Sequence, residues 1–259
     1  MEKVEYEHTT RPRLGETMAM ADHITWLRMP LPFSLNHINL WLLRDKGGWV
    51  IVDTGVDTNT SRAIWQEVFS GPMASDPATH VIATHLHPDH VGCADWLVHQ
   101  FDVDLWMTRE EYMLCRVLIS DTGREAPEEG VRFYKAAGFS DEQLANYRAN
   151  FGMFGKFVKS MPDAYKRMLD GERLAFAGHD WEVVVGRGHS PEHACLYDEE
   201  RNILISGDQI LPTISPNVSV WPTEPLATPL KDWFISLEKL KSRMPEDVLV
   251  LPAHGKPFR

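Results

Sequence analysis

Long apolar runs are missing from this sequence. No stretch approaches the roughly 20 consecutive apolar residues that span a bilayer. The segment Met1 to Gly15 carries Glu2, Lys3, Glu5, Glu7, Arg11 and Arg13 and has no signal-peptide core. No membrane partner is expected, and the reading is a cytoplasmic protein. Cysteine is scarce: Cys93, Cys115 and Cys195 lie far apart without CxxC spacing, and an odd count suits a reducing compartment. Neither a disulfide scaffold nor a cysteine-bound metal fits. Basic residues are in deficit, 26 Lys and Arg against 37 Asp and Glu, for a formal net charge of −11. With no basic cluster to oppose that field, nucleic acid is not an expected partner. Low-complexity tracts are also lacking. What remains is an ordinary folded composition, 43% hydrophobic and 24% charged over 259 residues, enough chain for a substantial core.

The pattern of what is present changes along the chain. His23 to Gly55 reads as short strands, HITWLRM, HINLWLLR and GWVIVDTG, separated by Pro30, Pro32 and Gly47-Gly48. A helix is predicted from Asp57 to about Ser70, capped by Asp57 or Thr58. A buried strand, HVIATH, follows from His80 to His85, then a short helix from Cys93 to Gln100 and a strand from Asp104. From Arg109 to Asp170 strand signals vanish, and the segment reads as a helical insertion. Within it Leu144, Tyr147, Phe151, Phe154, Val158 and Met161 predict one helix face ended by Pro162. Strands return as ERLAF, DWEVVVG, HACLYD and NILISG, and a helix from Leu226 to Lys241 and a last strand VLVLP complete the order. Strands and helix, insertion, strands and helix again imply an α/β four-layer αββα sandwich over residues 1–259, with the insertion at about 109–170 as a lid.

Histidines stand at the ends of the predicted strands. His85-Leu86-His87-Pro88-Asp89-His90 directly follows an apolar strand. Residues two apart in an extended chain point the same way, so His85 and His87 can chelate one cation, while Asp89 and His90, at the start of a helix, can face a second. Three imidazoles and a carboxylate packed together cost desolvation and repulsion unless a cation is shared among them. Three later strand ends place one ligand-type residue beside a glycine: Gly188-His189-Ser190, Ser206-Gly207-Asp208 and Ala253-His254-Gly255.

With DTG at Asp53 to Gly55 and THLHPDH at Thr84 to His90, this set resembles the metallo-β-lactamase-fold hydrolases, which include glyoxalase II and N-acyl-homoserine lactonases. The resemblance runs from about Asn36 to the C-terminus. It implies a first metal held by His85, His87 and His189 and a second held by Asp89, His90 and His254, with Asp208 bridging. It implies two divalent cations; zinc suits these donors, and manganese and iron accept the same set. Asp53 then orients ligands from behind. His193 supports the ligands in the same way or is structural, since the chain reads GHSPEH where the family often has GHTxGH.

The function so implied is hydrolysis of an ester, thioester or lactone in a small-molecule substrate by a metal-bridging hydroxide, with Asp89 as the catalytic carboxylate that orients the water or takes its proton. Asp208 stands where the true β-lactamases of this fold carry Cys or Ser, which disfavours antibiotic hydrolysis. In the insertion, Met113, Phe151, Phe154, Phe157 and Met161 are candidates for an acyl pocket, and Tyr112, Tyr134 and Tyr165 for an oxyanion donor; Trp221 is a candidate for the opposite rim. The alternatives are an iron-dependent redox enzyme of the same fold, persulfide dioxygenase-like, and a non-catalytic ligand-binding member. Oligomeric state has no signature in the sequence.

Overall fold

Four strands joined by tight turns open the fold: β1 (Thr17–Ala21), β2 (Ile24–Pro30), β3 (His37–Asp45) and β4 (Gly48–Val52) form an antiparallel meander in a computed structural model that describes residues 4–259. After helix α1 (Asn59–Ser70), strand β5 (Ala78–Ile82) joins β4 in parallel. Helices α2 (Pro88–Val91) and α3 (Ala94–Phe101) then return the chain to β6 (Leu105–Met107), also parallel. The second sheet has β8 (Arg173–Phe176), β9 (His179–Gly186), β10 (His193–Asp198), β11 (Ile203–Gly207) and β12 (Leu249–Pro252) in the order β12-β11-β10-β9-β8. Its β11 and β12 are parallel because helix α7 (Pro229–Arg243) crosses between them.

Strand alternation sorts the core into layers. On β3, Ile38, Leu40 and Leu42 face helices α1 and α3 with Trp65 and Leu97, whereas Trp41 and Leu43 face the second sheet. On β11, Ile203 and Ile205 enter the space between the sheets and Leu204 faces Leu240 of α7. Trp26, Trp41 and Trp181 lie wholly buried between the sheets, each removing roughly 150–250 Å² from water. The result is helix, sheet, sheet, helix, the expected four layers.

The insertion departs from its prediction in one respect. It holds α4 (Arg109–Ser120), α5 (Glu128–Ala136) and α6 (Asp141–Asn150), but the helix face predicted to continue from Leu144 to Met161 stops at Asn150. Gly152 takes φ +72°, and a Cβ there would lie 2.4 Å from the Asp121 carbonyl oxygen. A close backbone approach thus ends the helix, and only a single 3-10 turn, Phe154–Lys156, follows. Two strands have no sequence signal: β1, and the two-residue β7 (Lys166–Arg167), which extends the first sheet alongside β6.

The carboxyl ends of β4, β5, β9, β11 and β12 meet at one edge of the sandwich. Asn39 on β3 fastens that edge. Its backbone N–H donates to Ala253 O at 2.7 Å, its side-chain amide donates to Pro252 O and Gly255 O, and its Oδ1 accepts from Trp26 Nε1. Ala194 N donates to Thr84 O at 2.9 Å and joins the sheets at a second point.

Candidate metal centre

The chain leaves β5 in extended form through His85 and His87 and turns at Pro88, the first residue of α2, so that His90 comes back beneath His85 with ring centroids 3.9 Å apart. His85 Nε2 lies 2.9 Å from His87 Nδ1 and 3.2 Å from His189 Nε2, the latter delivered by the loop after β9. Asp208, just past β11, divides its carboxylate between two groups. Oδ2 lies 3.3 Å from His189 Nε2 and 4.0 Å from His85 Nε2, while Oδ1 lies 3.3 Å from His254 Nε2 and 3.6 Å from His90 Nε2. Asp89 Oδ2 completes the second group at 3.4 Å from His254 Nε2. Within each group, His85, His87, His189 and Asp208 on one side and Asp89, His90 and His254 on the other, the donor atoms lie within 4.8 Å of one another. All seven residues singled out in the sequence are brought together.

Hydrogen bonds from behind set which ring nitrogen faces inward. His90 Nδ1 donates to Asp53 Oδ2, His189 Nδ1 to Asn217 O and His254 Nδ1 to His37 O, each at 2.8 Å. A carboxylate or carbonyl only accepts, so these Nδ1 atoms carry a proton, and Nε2, which faces the cluster, is the atom left to bind a metal once it has shed any proton of its own. Asp53 also accepts from Thr84 N and Thr84 Oγ1 and sits at φ +62°, a left-handed conformation held by those bonds. His193 turns away: its Nε2 accepts from Asp208 N at 3.0 Å and its ring packs 4.7 Å from that of His85. Gly207 makes room for it, since a Cβ there would lie 2.5 Å from His193 Nε2.

The electrostatics fit a cationic occupant. Burial, then the neighbouring rings of His90 and His87, hold His85 well below the ordinary histidine range, and burial and His189 bring His87 to about 4. Burial opposes protonation of His90 and His254 as well, but Asp53, Asp89 and Asp208 raise His90 well above its ordinary value, and Asp89 and Asp208 raise His254. Asp208 stays ionised against its burial because of His90 and His189. His90 Nε2 and Asp208 Oδ1 are buried without a hydrogen-bond partner. Inward-facing ring nitrogens, two ionised carboxylates and orphaned buried polar atoms form a donor set that two dications satisfy.

A sequence profile of the metallo-beta-lactamase superfamily matches residues 34–254, which include all seven cluster residues. The chain belongs to that superfamily. Solved structures of the metallo-beta-lactamase fold resemble it over nearly its whole length. A beta-lactamase domain protein from Burkholderia ambifaria is 40% identical, with a TM-score of 0.87 over 99% of this chain and 76% of that one. A metallo-beta-lactamase family protein from Thermus thermophilus is 28% identical, with a TM-score of 0.75 over 93% of this chain and 76% of that one. Among curated relatives, the acyl-coenzyme A thioesterase MBLAC2 of Bos taurus is 25% identical over 201 residues, 74% of this chain. The probable metallo-hydrolase YqjP of Bacillus subtilis is 24% identical over 241 residues, 90% of this chain and 71% of the relative. The chain spans 65% of the length of the bovine thioesterase.

Outside the superfamily motifs, sequence reasoning missed Glu111. Its carboxylate, fully buried on α4, accepts from Leu86 N at 3.0 Å, from Ser190 Oγ at 2.6 Å and from Glu192 N at 2.7 Å. Leu86 lies between His85 and His87, and Ser190 follows His189, so one side chain ties together the two loops that carry the first group. Burial pushes its pKa up to about 7. A single Glu in a charged helix gives no sequence signal for this.

The candidates for substrate contact fare differently. Tyr112 is a correction: it is 2% exposed, its hydroxyl donates to Pro162 O at 2.7 Å, and its ring stacks on Tyr165 at 3.9 Å. That hydroxyl pins the insertion's C-terminal arm to α4 and is not offered to an oxyanion. Phe154 packs against the helix-side core of the first sheet, and Phe151 lies 6.1 Å from Tyr147 within the insertion. Trp221 is 53% exposed, on the same irregular segment that supplies Asn217 O to His189.

Proposed function

We propose that this chain is a dinuclear-metal hydrolase that cleaves an ester, thioester or lactone bond. The observation that carries the reading is the divided carboxylate of Asp208, one oxygen toward His85 and His189 and the other toward His90 and His254. That arrangement matches a bridging ligand, with each carboxylate oxygen turned to a different group of donors. On this reading His85, His87 and His189 hold one metal, Asp89, His90 and His254 hold the other, and Asp208 spans both. Two dications held by these residues, for which zinc suits the His and Asp donors, would supply the Lewis acidity needed to ionise water near neutral pH and polarise the scissile carbonyl.

The chain's own groups do the rest. Asp89 is the more exposed of the two cluster carboxylates, 16% of its side chain against 10% for Asp208, so it is the one that meets incoming water and receives its proton. Asp53, Asn217 O and His37 O keep the imidazoles in the tautomer that presents Nε2 inward. Trp221 serves as an apolar rim for the acyl part of the substrate. The thioesterase and metallo-hydrolase relatives support hydrolysis as the general class.

The test is metal analysis followed by a turnover screen of the metal-loaded protein against short thioesters, acyl lactones and aryl esters, with His85→Ala as control. About two metals per chain and turnover that disappears in the variant are expected. Fewer than one metal per chain, or equal turnover by the variant, overturns the reading. Oxygen consumption in the same samples would place the chain with the redox members of the fold instead.

A further inference from the structure

Among the described residues Arg28 is a buried cation without a counter-charge. The residue is 7% exposed, its Nε is buried without a hydrogen-bond partner, and among the described residues the one charged group that perturbs it is another cation, Arg11. Other well-placed arginines here behave differently. Arg62 pairs with Asp57, Arg201 with Asp198, and Arg243 with Glu182, each at 2.5–2.6 Å. In a chain of net charge −11 an acidic partner for a buried guanidinium is easily found, and leaving one unpaired is costly.

Its position gives that charge a direction. Alternation along β2 puts Arg28 on the same face as Trp26, the face between the sheets, but one step nearer the edge where the metal cluster sits. Its cross-strand partner is Asn39, whose amide holds Pro252 O and Gly255 O on either side of His254. The next pair on that face is Pro30 with His37, whose carbonyl accepts the His254 Nδ1 proton and whose ring lies 6.3 Å from that of His254. The N-terminal segment brings Arg11 to the same place. It pairs with the C-terminus through Glu5 and Arg259, receives Lys256 Nζ at Thr9 O, and reaches β2 where Gly15 N donates to Arg28 O.

We propose that Arg28, with Arg11 beside it, binds an oxyanion carried by the substrate, a carboxylate or a phosphate, on the His254 side of the metal cluster. The inference rests on the hydrolase reading and narrows it to anionic substrates. With Nε already cut off from water, the guanidinium's charge-assisted bonds to an oxyanion are weakened little by solvent, so the discrimination is large, about ten- to a hundredfold.

The experiment compares substrates that share a scissile bond and differ in charge. One pair sets a 4-nitrophenyl butyrate ester against the mono-4-nitrophenyl ester of glutarate, which places a carboxylate on the acyl side. The other sets S-acetyl-N-acetylcysteamine against acetyl-coenzyme A, which places phosphates on the leaving-group side. The wild type is expected to favour the anionic member of one pair at least tenfold in kcat/KM. In Arg28→Met that ratio is expected to fall toward one, chiefly through KM. A ratio near one in both wild-type pairs, or a ratio unchanged in the variant, overturns the inference. Thermal-shift titrations of the metal-loaded proteins with glutarate and with inorganic phosphate give a second readout. A shift in the wild type that is smaller in Arg28→Met supports the site, and equal shifts overturn it. With no ligand added, the variant should melt no lower than the wild type, because it removes an unpaired buried charge; a lower melting temperature with unchanged ratios marks Arg28 as structural. If none of the four substrates turns over, the hydrolase reading is decided by its own metal analysis and wider screen, and the titrations alone decide the oxyanion site.

Discussion

Asp53 Oδ2 lies 2.8 Å from His90 Nδ1, and the same carboxylate accepts the backbone N–H and the hydroxyl of Thr84, the residue immediately before His85. One buried side chain at the end of β4 therefore orients a ring in one ligand group and the backbone that leads into the other. Removing it should loosen both. In Asp53→Ala, metal affinity measured by competition with a chromophoric chelator is expected to fall about 10- to 100-fold, with the weaker-bound ion lost first. Unchanged affinity would mean that Asp53 is only a turn residue.

Metal binding should release protons. Free of metal, His90 and His254 are biased toward the charged form by Asp53, Asp89 and Asp208 against the burial that opposes it. A ligand nitrogen must lose its proton to bind, so apparent affinity rises with pH and falls as the solution is acidified. Calorimetry in buffers of different ionisation enthalpy is expected to show a positive number of protons released as both sites fill at neutral pH. Asp208→Asn weakens the hold on both protons and should lower that number.

Glu111 gives a pH dependence of opposite sign. Its pKa of about 7 stands above the ordinary 4.5, so the folded protein keeps a proton that the unfolded chain loses. The resulting stability is fully present below about 4.5 and is lost as the pH rises through 7, a change of roughly 3 kcal/mol. In the chelated protein, that slope should be absent from Glu111→Gln unfolding curves. The variant should also bind its first metal more weakly, because an amide has one oxygen and a carboxylate two. One of the N–H groups of Leu86 and Glu192 then faces an NH₂.

Gly207 is predicted to be irreplaceable. At φ +50° and with His193 Nε2 where its Cβ would be, Gly207→Ala should cost at least about 2 kcal/mol and displace Asp208. Chemical denaturation and metal stoichiometry measured together would show both effects, and a variant that keeps two metals and full stability would contradict the packing described.

Tyr112→Phe separates a structural hydroxyl from a catalytic one. The loss of its bond to Pro162 O should reduce stability by about 1–2 kcal/mol and leave kcat within about twofold. A large fall in kcat with unchanged stability would return the hydroxyl to the reaction.

The cluster was legible because its signals are local. His85 to His90 occupy six consecutive positions after an apolar strand, and His189, Asp208 and His254 each follow a strand end beside a glycine. The supports were not legible, since Asn217 and His37 act through carbonyl oxygens that any residue carries. Glu111 and Arg28 are conspicuous only once burial is known. The insertion misled for a related reason: the periodicity from Leu144 to Met161 is real, but a backbone contact at Gly152, far from its partner Asp121 in sequence, overrides it.

The cluster draws His85, His87, Asp89 and His90 from the first sheet's loops and His189, Asp208 and His254 from the second's. Neither half of the polypeptide owns a complete coordination sphere. Cations held there would rivet one layer to the other, so part of the molecule's cohesion would be on loan from the medium and open to withdrawal by a chelator.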